Sequence, residues 1–211
     1  MKELKHLIFF ESLLEDTNNE LVRKAESEGD LAFGYTCFHA PEVLMNLGNC
    51  FSVRLRAPHT NSMELATYYM ANNSCEFSRA LLERALEGNY SFLHAMIGVD
   101  VCEANNRAIE NMEILHTQGE DKDKFFYCNL DIPYSDDEDC VEHIREQVSR
   151  KILKPMMENY GVDTSDTAIR ESVREHNEVC RILTEIGELR KLDIPPVTGY
   201  EYAVLVLVSY T

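Results

Sequence analysis

The sequence predicts an α/β protein: a doubly wound, mostly parallel four-stranded sheet with flanking helices, followed by a helical C-terminal segment. Two observations carry this. Short apolar runs at 31–36, 51–56, 90–99 and 125–132 alternate with stretches of helical periodicity, the pattern of strands joined by crossover helices. The run at 90–99 is apolar almost throughout, as a strand covered on both faces must be.

Taken in order, residues 3–28 read as one helix, with Leu4, Leu7, Ile8, Leu13, Leu14, Leu21 and Val22 near helical spacing and Gly29 after it. The first strand leads to a helix over 41–47, with Pro41 early and Gly48 beyond its end. Helices are expected at 62–71, 76–87 and 103–115, and a polar loop at 118–124. Residues 136–160 read as a long helix kinked at Pro155, and 163–192 as another, stopped by Pro195 and Pro196. Thr198 and Glu201 have capping-box spacing, so a helix opens there and runs to the last residues. This reading divides the chain into an N-terminal helix (1–30), an α/β unit (31–134) and a helical segment (135–211). The segment is expected to be cut short before a second α/β domain.

The chain of 211 residues is long enough for a sizeable core, and its 45% hydrophobic and 27% charged residues are those of a globular protein. A net charge of −17 disfavours nucleic acid and anionic lipid as partners. No signal peptide or membrane span is evident, so a cytoplasmic, reducing setting is expected. Seven cysteines without small-scaffold spacing then read as buried thiols, ligands or nucleophiles rather than disulfides.

Three of them stand out. Cys37 follows the first strand, Cys102 follows the third, and Cys75 precedes a helix. In a parallel sheet chemistry collects where strand-to-helix turns converge, and helix N-termini favour thiolates. Three thiolates suit a four-iron four-sulfur cluster with one open iron. Their separations match no short metal motif, however, and spacing alone favours buried thiols. Cys50, Cys128 and Cys180, the last on an apolar helix face, read as core. Cys140 lies in an acidic stretch that opposes thiolate formation.

Several blocks carry a resemblance. Gly34-Tyr-Thr-Cys37 with Pro41-Glu42, then Cys75-Glu-Phe-Ser-Arg79 with 86–93, Asp100-Val-Cys-Glu-Ala-Asn-Asn-Arg107, Asn177, Leu189-Arg190 and the run 195–201 occur in fixed order across nearly the whole chain. In these the chain resembles the 2-hydroxyacyl-CoA dehydratases, relatives of benzoyl-CoA reductase subunits and double-cubane cluster proteins. The resemblance implies a 4Fe-4S cluster held by Cys37, Cys75 and Cys102. It implies a sister subunit, an ATP-dependent activator that injects one electron, and an acyl-CoA substrate. The reaction would be radical elimination of water from a 2-hydroxyacyl-CoA to a 2-enoyl-CoA. Glu42, one turn past Cys37, is the candidate to move the proton; its alternative is a carboxylate complementing a helix N-terminus.

The sequence departs from the family at Glu76, where Pro is usual, and at Glu103, where Asp is usual. The expected loss of the family's second domain sets a non-catalytic, cluster-carrying or subunit-interaction module beside the enzyme, and a benzoyl-CoA reductase-like component is a further alternative because the sequence does not separate dehydration from ring reduction. A cysteine-rich fold without a cluster is the third reading.

Other residues read more plainly. Arg54 and Arg56 suit a solvated strand edge or the phosphates of CoA. Arg79 and Arg107 suit neutralisation of cluster charge, or pairing with Glu83 and Glu103. His39 stands beside the cluster turn. His59, His94, His116, His143 and His176 have no ligand spacing and read as surface or core residues.

Overall fold

The computed structural model describes residues 5–115 and 124–210. Its sheet is four-stranded and parallel, in the order β2-β1-β3-β4, with β1 at Leu31–Tyr35, β2 at Cys50–Arg54, β3 at Ala95–Val99 and β4 at Phe126–Leu130. The predicted class is what forms. The strands are shorter than their apolar runs because the ends of those runs do other work. Tyr90, Phe92 and Leu93 form a buried turn ahead of β3, packed under the helices.

Alternate residues of each strand point to opposite faces, and each face has its own core. Ala32, Val53 and Met96 pack with Leu81, Leu82, Ala108, Ile109 and Met112 of α4 (Glu76–Leu86) and α5 (Glu103–Ile114). Phe33, Tyr35, Ile97, Val99, Cys128 and Leu130 pack on the other face with Met45, Ile152 and Met156. Gly34 sits where the first layer comes closest: a Cβ there would stand 2.6 Å from Leu93 Cδ1.

The predicted helix over 3–28 is two helices, α1 (Lys5–Leu14) and α2 (Glu20–Glu28). The break follows from local chemistry. Asn19 accepts from the N–H groups of Leu21 and Val22 and donates to the Leu13 carbonyl, closing one helix and opening the next. The predicted helix at 41–47 is one 3-10 turn, Glu42–Met45, and that at 62–71 contracts to α3, Glu64–Thr67. The long helix at 136–160 is α6 (Glu138–Val148), a π-helical turn (Ser149–Leu153) and α7 (Lys154–Tyr160). The π turn answers Pro155, whose ring would press on the carbonyl four residues back in a regular helix.

Helix α8 (Asp166–Glu188) ends in a 3-10 turn, and α9 (Gly199–Val208) opens on the predicted Thr198–Glu201 capping box. Helix α9 packs on α1, and its last turn meets the sheet edge: the Tyr210 carbonyl accepts from the Arg54 N–H at 2.9 Å. No helix among the described residues is long and apolar enough to cross a membrane. The predicted polar loop falls almost wholly on 118–123, outside the described residues, as does His116.

Candidate functional site

The carboxyl edge of the sheet is where the sequence set its chemistry. β1 ends at Tyr35 and turns through Thr36 and Cys37; its neighbour β3 ends at Val99 and turns through Cys102, the residue that caps α5. The two turns are tied together: the Asn105 side-chain amide donates to the Thr36 hydroxyl at 2.8 Å across the buried space between them. Cys75 caps α4, which packs against α5 and runs back toward the start of β3, so its first residue lies toward the same edge.

Cys75 and Cys102 are exposed, and Cys37 is half-buried. N–H groups of Ser78 and Phe77 point at the Cys75 sulfur and hold its pKa below the usual thiol value. No side-chain cap bond closes at either cysteine, so at Cys75 these N–H groups act on the sulfur as nearby dipoles rather than through a formed cap. All seven cysteines are free. Among the described residues no group of three His, Cys, Asp or Glu side chains is gathered closely enough to hold a metal ion.

The remaining thiols sort by environment. Burial pushes Cys50 and Cys128 each up to about 12, the behaviour of core residues. Asp137 accepts from the Cys140 thiol and raises it, as its acidic neighbourhood predicts. Cys180 does not follow the expectation of a core position: it is exposed, on α8, with its sulfur 3.4 Å from His176 Nε2.

Glu42 lies in the 3-10 turn after Cys37, so a dipole-complementing role at an α-helix does not apply. Both its oxygens are engaged. The hydroxyl of fully buried Tyr35 donates to Oε2 at 2.6 Å, and His176 Nδ1 stands 3.1 Å from Oε1. Burial first, and the Glu42 bond next, hold the Tyr35 phenol well above its ordinary pKa. His176, read from sequence as surface or core, is thus part of a chain Tyr35–Glu42–His176–Cys180. Only its last link, four residues along one helix, was visible in the sequence.

The arginines also differ from expectation. Arg56 is no solvated edge residue: its guanidinium donates to the Leu13 and Leu14 carbonyls at the end of α1, and burial lowers its pKa. Arg54 lies over the Tyr210 ring at 5.3 Å. Arg79 is buried and donates to Asn72 and Thr67, while Glu83 caps the N–H groups of Leu65 and Ala66, so the two do not pair. Arg107 pairs with Glu110, not Glu103, at 2.9 Å on the surface. His39 is exposed and stacks on Phe38.

The sequence model of the 2-hydroxyglutaryl-CoA dehydratase D-component family matches residues 37–211, most of the chain. The chain belongs to that family. The match begins at Cys37 and includes all three cysteines, the Glu42 turn and the helical segment. The name of the family is that of one component of a dehydratase, which implies partner subunits. No curated protein matches the chain.

Proposed function

We propose that this D-component carries a 4Fe-4S cluster on Cys37, Cys75 and Cys102 and takes part in removing water from a 2-hydroxyacyl-CoA. The observation that supports the reading is the placing of the family cysteines: Cys37 and Cys102 follow the neighbouring strands β1 and β3, and Cys75 opens α4, which packs against the α5 that Cys102 opens. When bound, such a cluster supplies an electron relay and an open iron that acts as a Lewis acid toward oxygen.

The chain's own residues would do the rest. Cys75, already favoured as thiolate by the first N–H groups of α4, offers the readiest ligand. The side-chain oxygens of Asn105 and Asn106 are buried without a hydrogen-bond partner in the first turn of α5. Turning the Asn105 amide over would let Thr36 donate to its oxygen, freeing an N–H for an anionic sulfur. Glu42 would move a proton, with His176 as the neighbour that receives or returns it. A sister subunit, an ATP-dependent activator, a second α/β domain and a cytoplasmic setting belong to the same proposal. So does the three-part division at 30 and 134.

The test is purification and reconstitution without oxygen, followed by electron paramagnetic resonance of the reduced protein. A cluster signal that is lost when Cys37, Cys75 or Cys102 is changed to Ala is the expected result. A signal indifferent to all three changes would refute the ligand assignment.

A further inference from the structure

The Tyr35–Glu42–His176–Cys180 chain lies outside the proposed ligand set and has the order of a nucleophile with its base. Its imidazole faces two different partners: Nε2 is 3.4 Å from the Cys180 sulfur and Nδ1 is 3.1 Å from Glu42 Oε1. One ring nitrogen toward a thiol and the other toward a carboxylate is the geometry of proton transfer, because the carboxylate fixes the tautomer that leaves Nε2 free to accept. A chelate would bring the three groups onto one point, which they do not approach.

The arrangement is braced from two sides. Tyr35, fully buried at the end of β1, donates to the second oxygen of Glu42. One turn before His176, buried Ser172 donates to the Val43 carbonyl and pins α8 against the 3-10 turn that carries Glu42. The chain borders a cleft of about 340 Å³ whose walls include Phe38, Pro41, Val179 and Leu183. Larger open clefts, of about 650 Å³ and 1120 Å³, lie farther along α8 and between α6 and α8, and neither is lined by a thiol.

We infer that Cys180 is a second reactive centre, a thiol nucleophile served by His176 and held in register by Glu42, which takes an acyl group from a thioester. The choice of thioester rests on the function proposed above; the reactivity of the thiol does not. The step balances without an oxidant or reductant. The Cys180 sulfur bonds to the acyl carbon, the bond from that carbon to the departing sulfur breaks, and the proton passes from Cys180 through His176 to the departing thiolate. Exchange between two thioesters is close to even in energy, so the walls of the cleft need only admit a small apolar acyl chain. Glu42 is a positioning residue here and does not touch the acyl group.

The experiment uses the full chain, with iodoacetamide and the acetyl thioester of N-acetylcysteamine as separate probes and peptide mass spectrometry as the readout. Cys180 is expected to be alkylated faster than Cys140, and His176→Gln to slow it by about tenfold, since an unassisted thiol is only a few per cent ionised at neutral pH. The acyl mass is expected on the Cys180 peptide of the native chain and is expected to be lost in His176→Gln and in Cys180→Ser. The Glu42→Gln variant should lose the downfield Nδ1 proton resonance of His176 and slow Cys180 alkylation as well; a carboxylate that only braces the fold would lose the resonance and leave the alkylation rate unchanged. Alkylation of Cys180 no faster than that of Cys140, or unchanged by His176→Gln and His176→Asn in folded protein, overturns the inference. Fast alkylation without an acyl adduct overturns the thioester assignment. Iron content of the same preparations reports on the cluster separately, because Cys180 is not among its proposed ligands.

Discussion

Cys75 and Cys140 are both free thiols near helix starts, and their surroundings push them in opposite directions. Backbone N–H groups of Ser78 and Phe77 lower the first; the Asp137 carboxylate raises the second. A lower pKa means more thiolate at neutral pH, so in the apoprotein iodoacetamide should modify Cys75 before Cys140, with the gap closing as pH rises past both. Equal rates at neutral pH would contradict the assignment. Tyr35 makes a second test. Tyr35→Phe removes the hydroxyl bond to Glu42 Oε2 and should destabilise the fold by about 1.5–3 kcal/mol in urea unfolding, the usual worth of a hydrogen bond to a charged group. At this scale the sequence was informative about residue type and poor about partners. The acidic stretch around Cys140 announced its raised thiol. Nothing in it announced that Glu42 and His176, far apart in the chain, share a proton-transfer distance, or that Arg79 and Glu83 would turn to different neighbours.

At the scale of elements, the helices that formed as predicted are those with apolar periodicity and a clear stop. Helix α5 and the capping box of α9 are examples. Elements that departed from expectation did so at caps and breaks that leucine spacing does not encode. The start of α3 is fixed by the buried Glu83 carboxylate of α4, which takes the otherwise unpaired first N–H groups of Leu65 and Ala66. Glu83→Ala should therefore cost about 3 kcal/mol and expose that turn first to amide exchange, since two N–H groups lose a charged acceptor. The break between α1 and α2 depends on Asn19. Its signal, an Asn before Glu20-Leu-Val, was present in the sequence but was outweighed by leucine spacing that ran across it. Asn19→Ala should cost about 1–2 kcal/mol, read as a lower urea midpoint with an unchanged slope. An unchanged midpoint would show that the break is set by packing alone.

At the scale of the whole molecule, strand order turns sequence separation into proximity. The order β2-β1-β3-β4 sets the first and third strands side by side, so the turns carrying Cys37 and Cys102 become neighbours although more than sixty residues separate them. The alternation of apolar runs with helical periods made this legible, because parallel strands joined by right-handed crossovers send their carboxyl ends to one edge. It did not make legible how close the sulfurs stand, which depends on turn conformation and on what fills the space. The measurement that bears most directly on the central claim is iron and acid-labile sulfide in protein prepared and reconstituted without oxygen. The account predicts about four of each per chain, falling toward zero when Cys37, Cys75 and Cys102 are together replaced by Ala. A colourless, iron-free native chain, or iron that survives the triple replacement, would contradict it.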